Sequence, residues 1–481
     1  MPSSPIHFGT SGWRAIIAED FTFPNVRLAV TAITQHVRAL SKKTPVLLIA
    51  HDPRFFSPEF SLAAAEILAA NGVDFLLCDG PTPTPTVAYE IRRRKVDGAI
   101  NFTASHNPWA YNGLKFSGPD GGPALPEVTK DIEARAAKLA GDDFSRPPEA
   151  HSPSGAKQPT IQPREEYIRR LGELVGFDKI AKGKLGIVYD ALHGCGAGYL
   201  DGALKEHGIA CNTIRANRDV LFDGKGPDVS EENLAPLRDT VKKTNAHLGL
   251  ASDGDADRFG VIDADGTWIS PNHILALVYD YLVESRGWKL PAARSVATSH
   301  FIDAVAKSHG LGVLQTPVGF KYLGELIEQD KIALGGEESA GLSIRGHVPE
   351  KDGILACLLV AEMTAVRGTT LSEQIRSLFK RVGSEFWPMR ANLHLEEDVQ
   401  QRTVDRLKQD FKEFAGRQVQ NLDRTDGLKL AFADGSWVLM RLSGTEPLLR
   451  VYTEASTGKA SSKLADDARD WIYQTGAAKR G

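Results

Sequence analysis

Four short polar stretches, far apart in the chain, carry the residue types that could do chemistry together. The first is Thr103-Ala-Ser105-His106-Asn107-Pro108. Ser105 offers a hydroxyl nucleophile, but no Gly-x-Ser-x-Gly turn surrounds it. The second is Asp253-Gly-Asp255-Ala-Asp257-Arg258. Three alternating carboxylates concentrate negative charge, which a hard divalent cation such as Mg²⁺ would offset. An EF-hand is excluded, because its sixth position needs Gly and holds Arg258, and its twelfth needs Glu and holds Ala264. A turn of solvated acids is the plainer alternative. The third stretch runs from Gly335 to Gly341, with Glu337, Glu338 and Ser339 between glycines. Such a loop could approach a sugar closely and bond its hydroxyls, although a helix cap or simple turn fits as well. The fourth is Arg441-Leu-Ser443-Gly444-Thr445-Glu-Pro447, with Arg450 just beyond. Two guanidiniums, two hydroxyls and a Gly-permitted turn suit a phosphate; a hairpin turn with an exposed Arg is the alternative.

Taken together, a serine nucleophile, a metal loop, a hydroxyl-binding loop and a phosphate cradle fit phosphoryl transfer onto a sugar. The elements around them must then bring the four to one place. PVLLIA (45–50), VDFLL (73–77) and DGAINF (97–102) read as buried strands, separated by helical patterns such as PEFSLAAAEILAANG (58–72). This βαβαβ alternation predicts a mainly parallel sheet, which binds ligands at the carboxyl ends of its strands, where Ser105 falls. A Pro/Ser/Gly-rich linker is expected at 141–159. KLGIVYD (184–190) opens a second β/α block, which ends with a strand, polar loop and return strand at 246–263. SVATS (295–299), LGVLQTPVG (311–319) and IALGGEESAG (332–341) belong to a third. The last quarter has a charged helical stretch (398–414), two strands around a turn (436–455) and a final helix. The expectation is therefore three β/α domains with mainly parallel mixed sheets, 1–150, 151–267 and 268–382. A smaller α+β domain at 383–481 completes them around a central cleft.

With these motifs in hand, the chain closely resembles the α-D-phosphohexomutase family over essentially its whole length. TASHNP resembles the family's phosphoserine loop, DGDADR its magnesium loop, GEESAG its sugar loop and RLSGTEP its phosphate loop, in the family's order. GTSGWR (9–14) and YNGLK (111–115) add Arg14 and Lys115 near the serine. The resemblance implies that Ser105 is phosphorylated and supplies one ligand to a single Mg²⁺, with Asp253, Asp255 and Asp257 supplying three more. It implies transfer to the sugar through a bound bisphosphorylated intermediate that turns over, with hexose 1,6-bisphosphate as activator. His106 would bond the phosphoserine, and Lys115 and Arg14 are the candidates for acid and base. Glu337 and Ser339 would grip sugar hydroxyls. Arg441, Ser443, Gly444, Thr445 and Arg450 would hold the phosphate that is not reacting, and Arg258 would also touch substrate. GLSIRGHVPEKDG (341–353) resembles the glucose-type phosphoglucomutases, which would bring His347, Lys351 and Lys321 to the substrate. RLSGTEP instead resembles loops of phosphoglucosamine mutases and phosphomannomutases. Glucose is the favoured hexose, with mannose and glucosamine as alternatives.

Composition bounds the partners. The 57 basic and 61 acidic side chains leave a net charge of −4, which gives no electrostatic case for nucleic acid or an anionic membrane. Cys78, Cys195, Cys211 and Cys357 form no C-x-x-C pair and no zinc spacing, as expected for reduced cytoplasmic thiols. No secretory leader is recognised at the start, and the longest apolar stretch contains Glu362 and is too short to span a bilayer. Small-molecule sugar phosphates are the expected partners, and the chain is expected to be a monomer or homodimer. An aspartyl-phosphate phosphatase would need Thr or Val soon after the second Asp of its motif. A non-catalytic sugar-phosphate binder would not need an intact Ser105 with all three aspartates.

Overall fold

The structure is a computed structural model that describes residues 6–9, 12–147, 159–442 and 448–473. The first sheet is built from β1 (Trp13–Ile16), β2 (Val46–His51), β3 (Asp74–Cys78), β4 (Gly98–Phe102), β5 (Tyr111–Ser117) and β6 (Thr160–Ile161). Its order is β1-β5-β4-β2-β3-β6, with β2, β3, β4 and β6 parallel and β5 antiparallel to both neighbours. β2 and β4 are apolar almost throughout because helices cover both faces of the sheet. The second sheet has β7 (Ile187–Asp190), β8 (Cys211–Ile214), β9 (Leu248–Ser252) and β10 (Phe259–Asp263) in the order β10-β9-β7-β8. The third has β11 (Ala292–Ser295), β12 (Val313–Thr316), β13 (Leu334–Glu337) and β14 (Gly341–Ile344) in the order β12-β11-β13-β14.

One feature is common to the three. In each sheet a buried strand runs into a polar loop and the chain returns antiparallel beside it: β4 to β5, β9 to β10, β13 to β14. The three chemistry-bearing loops of the sequence occupy these three equivalent places. Each contains a non-glycine residue in the left-handed region: Ser105 (φ 53), Ala256 (φ 57) and Ala340 (φ 70). Such backbone is strained and persists only where its surroundings hold it.

The fourth sheet is antiparallel and differs in kind. β15 (Trp387–His394), β16 (Glu413–Phe414), β17 (Arg417–Asp423), β18 (Leu428–Phe432), β19 (Trp437–Leu442) and β20 (Leu448–Ala455) take the order β15-β20-β19-β18-β17-β16. The charged helix expected over 398–414 spans Glu397–Leu407 instead, and Glu413–Phe414 pairs with Arg417–Gln418 as a short hairpin. Phe414 packs into the core of this unit, so burial of one aromatic overrides helical propensity there.

The second and third units share one apolar core, centred on the helix Gly353–Arg367, whose residues from Gly353 to Thr364 are all buried. Asp352 caps this helix by accepting from the Leu355 amide at 2.8 Å. Glu362 lies in its middle with its side chain 1% exposed. It accepts from Tyr281 Oη (2.8 Å), Lys179 Nζ (3.0 Å), Arg286 Nη2 (3.1 Å) and the Gly176 amide (3.0 Å). One carboxylate thus joins the second unit to the third. No single helix among the described residues is long and apolar enough to cross a membrane.

Because Glu362→Ala would remove the acceptor of the Tyr281 hydroxyl, the Gly176 amide and Arg286, it should cost about 1–3 kcal/mol of stability. Urea unfolding followed by circular dichroism should show a lower midpoint, whereas an unchanged midpoint would mean the four bonds contribute nothing net.

Candidate active site

Ser105 sits beyond the carboxyl end of β4, and its loop is held from beneath by a residue outside every motif. Arg54, fully buried, donates to four carbonyls of that loop: Ser105 (2.7 Å), Asn107 (2.6 Å), Pro108 (2.9 Å) and Tyr111 (3.0 Å). Its Nε is paired with Asp52 at 3.0 Å, and Asp52 also accepts from Ser57 Oγ. The Ser105 amide donates to Thr103 Oγ1 at 2.8 Å. These bonds hold the left-handed Ser105 backbone in place. The signal was legible as HDPR, a polar tetrad at the carboxyl end of the buried strand PVLLIA.

The Ser105 hydroxyl donates to Asp253 Oδ2 at 2.9 Å across the junction of the first and second units. Asp253, Asp255 and Asp257 are all buried, and one ligand oxygen from each lies within 4.8 Å of the others. Lys115 Nζ, from β5, reaches Asp255 Oδ2 (2.5 Å) and Asp257 Oδ2 (3.0 Å). Lys351 Nζ, from the third unit, is 2.9 Å from Asp257 Oδ2 and 3.5 Å from Glu350 Oε1. Thr84 Oγ1 also donates to Asp255, and the Arg258 amide donates to Asp253 Oδ1 at 3.0 Å. Despite burial, Lys115, Lys351 and Arg258 hold Asp257 far below the usual carboxylate range. Asp253, which has no lysine partner among the described residues, is pushed well up by burial and by the charges of Asp257 and Asp255. Against the same burial, Asp255 and Asp257 raise Lys115 above its ordinary value, so it is an ammonium. Among the described residues, the Oδ1 atoms of Asp255 and Asp257 are buried without a hydrogen-bond partner. Three buried carboxylates with unused oxygens fit a hard divalent cation.

Arg14, on β1, donates from Nη1 to Asn107 Oδ1 at 2.8 Å. Burial, aided by Arg258, pushes its guanidinium down to about 10. His106 Nδ1 lies 3.4 Å from Ser105 Oγ, and burial together with Arg258 and Arg14 keeps its imidazole neutral. Ser105, Lys115, the three aspartates and Lys351 therefore form one buried network, with the half-buried His106, Arg14 and Arg258 at its edge. A cavity of about 480 Å³ opens beside it, lined by His106, Asn107, Tyr111, Lys225 and Asp228 among others.

The third loop is stitched to the second. The Phe259 amide donates to Ala340 O at 3.1 Å and the Gly353 amide to Ala256 O at 3.1 Å. A Cβ at Gly353 would lie 2.2 Å from Arg258 O, so only glycine permits this approach. Glu337 closes β13 and accepts from the Gly319 amide at 2.7 Å. Burial and the neighbouring Glu338 push its carboxyl up to about 7. Ser339 is half-buried in the turn. Glu338, which the sequence reading did not single out, accepts from Ser295 Oγ (3.1 Å) and Thr298 Oγ1 (3.2 Å).

His347 is not brought to these loops. Its side chain is fully buried, and Nε2 lies 2.7 Å from Asp352 Oδ2, which also accepts from Tyr167 Oη at 2.5 Å. The helix-capping Asp352 holds the imidazole in this position. Lys321 is half-buried at the start of the helix Phe320–Glu328, with its ammonium 5.2 Å from the Tyr322 ring centre. In the fourth unit Arg441 and Arg450 are direct cross-strand partners on β19 and β20. Like charges placed opposite one another repel, and a bound anion would relieve this. Ser443, Gly444 and Thr445 lie outside the described residues.

The chain matches family profiles for all four domains of phosphoglucomutase/phosphomannomutase. Residues 5–142, 165–266 and 270–382 match the α/β/α domains I, II and III, and 398–470 the C-terminal domain. It is 31% identical over 467 residues to a phosphoglucomutase/phosphomannomutase of Thermococcus kodakarensis, covering 97% of this chain and 96% of that protein. It is also 31% identical over 477 residues to a Methanothermobacter thermautotrophicus protein assigned as a phosphoglucosamine mutase, covering 97% and 98%. A crystal structure from Thermus thermophilus, assigned as a phosphomannomutase, superposes with a TM-score of 0.84 at 31% identity, covering 98% of this chain and all of that one. Four domains in family order, matched over nearly the whole length and converging on one buried serine–carboxylate network, make this chain a member of the phosphoglucomutase/phosphomannomutase family and a phosphohexomutase.

Proposed function

We propose that the chain interconverts glucose 1-phosphate and glucose 6-phosphate through a phosphoserine at Ser105 and a bisphosphorylated sugar. The observation that carries this is the Ser105 hydroxyl, 2.9 Å from Asp253 inside a buried carboxylate triad. Its proton is directed at Asp253 and not at His106, whose Nδ1 is farther away at 3.4 Å, and a serine so placed is suited to carry a phosphoryl group. Asp253, Asp255 and Asp257, with a phosphoserine oxygen, would hold Mg²⁺. Bound there, Mg²⁺ would offset negative charge on the phosphoryl group during transfer.

The chain's own groups divide the remaining tasks. Arg54 fixes the serine loop so that the phosphoryl group is presented in one direction. His106, neutral, can donate to a phosphate oxygen or accept from one, while Arg14 adds fixed positive charge. Lys115 is an ammonium between two carboxylates that hold its proton tightly, which suits it to stabilise charge and not to remove a proton. Glu337 and Ser339 bind sugar hydroxyls, and Arg441 and Arg450 hold the phosphate that is not reacting. Arg258 and Lys351 complete the wall around the sugar. Glucose is favoured by the segment GHVPEKDG, which places Lys351 on Asp257 at the heart of the site. A comparison of kcat/KM for glucose 1-phosphate, mannose 1-phosphate and glucosamine 1-phosphate tests that preference. A higher value for either rival would overturn it.

Ser105→Ala should lose nearly all turnover while keeping its circular dichroism. Intact-mass measurement should show a phosphorylated fraction in the parent protein and none in the variant. A variant with most of the parent rate would sink the phosphoserine reading.

Chelation with EDTA followed by dialysis should abolish activity, and Mg²⁺ should restore it. Asp255→Asn should weaken that restoration, read as a higher Mg²⁺ concentration for half-maximal rate. Full turnover in a sample shown to be metal-free would remove the cation from the scheme.

The pH profile follows from Glu337. Its raised carboxyl is neutral below about 7 and ionised above, and the ionised form is the better acceptor for sugar hydroxyls. The sign is then fixed: kcat/KM should rise as pH increases through about 7. Glu337→Gln should lower kcat/KM and flatten that limb. A rise that survives unchanged in the variant would belong to another group, such as the substrate phosphate with its second pKa near ~6.

A further inference from the structure

Arg441 is held by a carboxylate that no motif contains. Asp426 Oδ1 lies 2.8 Å from Arg441 Nε, and both side chains are largely buried. The approach depends on Gly427 (φ 94), where a Cβ would lie 2.6 Å from Met440 O and 3.1 Å from the Arg441 Cα. The other oxygen, Asp426 Oδ2, accepts from the Val318 amide of the third unit at 3.1 Å. The next amide in the chain, Gly319, donates to Glu337 Oε1 at 2.7 Å. Two consecutive amides therefore tie the phosphate-side carboxylate of the fourth unit to the sugar-side carboxylate of the third.

We propose that Asp426 is a positioning residue: it orients Arg441 toward the substrate's non-reacting phosphate and locks that orientation to Glu337 through Val318–Gly319. The inference rests on the reading that Arg441 holds this phosphate. The contact is an ion pair and not an aligned hydrogen bond, since the Nε–H is not directed at the carboxylate, so Asp426 holds the guanidinium in place by charge. Asp426 thus holds Arg441 before substrate arrives, which lowers the reorganisation needed on binding. Because Val318 and Glu337 share the linkage, phosphate binding in one unit and hydroxyl binding in the other require the same docked geometry.

The test is a double-mutant cycle in the full-length enzyme with glucose 1-phosphate. Asp426→Ala should raise KM about tenfold, since it loosens a charge-assisted contact, while kcat stays within about twofold. Asp426→Asn keeps the acceptor for the Val318 amide and loses the charge; it should fall between the parent and Asp426→Ala, and it serves if the alanine variant does not fold. Arg441→Ala should raise KM by about one to two decades. Asp426→Ala should raise KM clearly less in the Arg441→Ala background than in the parent, because most of its effect passes through Arg441. Multiplying effects, or an unchanged KM in both Asp426 variants, would overturn the proposal. An Arg441→Ala enzyme with unchanged KM would instead remove the phosphate-binding reading on which it stands.

Discussion

Three buried carboxylates beside one another set the terms for the rest of this molecule. Each costs several kcal/mol to take out of water, and together they repel. The structure offsets them with cations drawn from different units: Lys115 from the first, Arg258 beside them in the second, Lys351 from the third. No unit could bury this site alone, because none carries all the compensating charge. The site therefore depends on docking as much as on local sequence. This also accounts for the uneven compensation. Asp257 has two lysines while Asp253 has a serine hydroxyl and a backbone amide. The imbalance leaves the serine side of the triad as the place where added positive charge gains most.

The fourth unit is attached on different terms. Val296 and Ala297 of the third unit meet Trp437, Leu439 and Tyr452 of the fourth in a small apolar contact. Around it lie Lys429, bonded to Val296 O and His300, and Glu454, bonded to Ser299, His300 and Trp437. Burial pushes Lys429 down to about 7. Here Lys429 and Glu454 gain most of their partners from the third unit, so polar bonds ring a small apolar area. By contrast, the second and third units share one continuous core, and separating them would expose it. Interfaces of the first kind open more readily than those of the second.

The sequence makes the parallel sheets legible because buried strands in α/β units read as unbroken apolar runs, as in PVLLIA and DGAINF. It makes the loops legible because each carries its chemistry in one contiguous stretch. What it hides is whatever depends on long-range partners. Arg54 looks like any surface arginine until its four carbonyl acceptors, over fifty residues away, are seen. His347 is expected at the substrate only from the resemblance of its segment, and the sequence gives no sign that Asp352, which also accepts from Tyr167, bonds its imidazole. The failure at 398–414 has the same origin: periodicity favours a longer helix, and the buried ring of Phe414 decides otherwise. The strand-end position of HDPR was the one available clue to Arg54, and it is topological, not compositional.

The equivalence of the three strand–loop–strand returns gives a reason why one catalytic cycle can use loops from separate units. In each, the loop leaves a central or near-central strand and the return strand pins its far end by antiparallel pairing. A loop fixed at both ends by a sheet can hold a left-handed residue such as Ser105, Ala256 or Ala340 without fraying. The backbone bonds from Phe259 to Ala340 and from Gly353 to Ala256 then fix the second loop against the third. The Ser105–Asp253 bond fixes the first against the second. Pairwise ties of this kind leave the three loops little independent freedom. The third and fourth units meet through a separate, smaller apolar contact ringed by hydrogen bonds. There, the Asp426–Val318 bond ties the third unit to the carboxylate paired with Arg441.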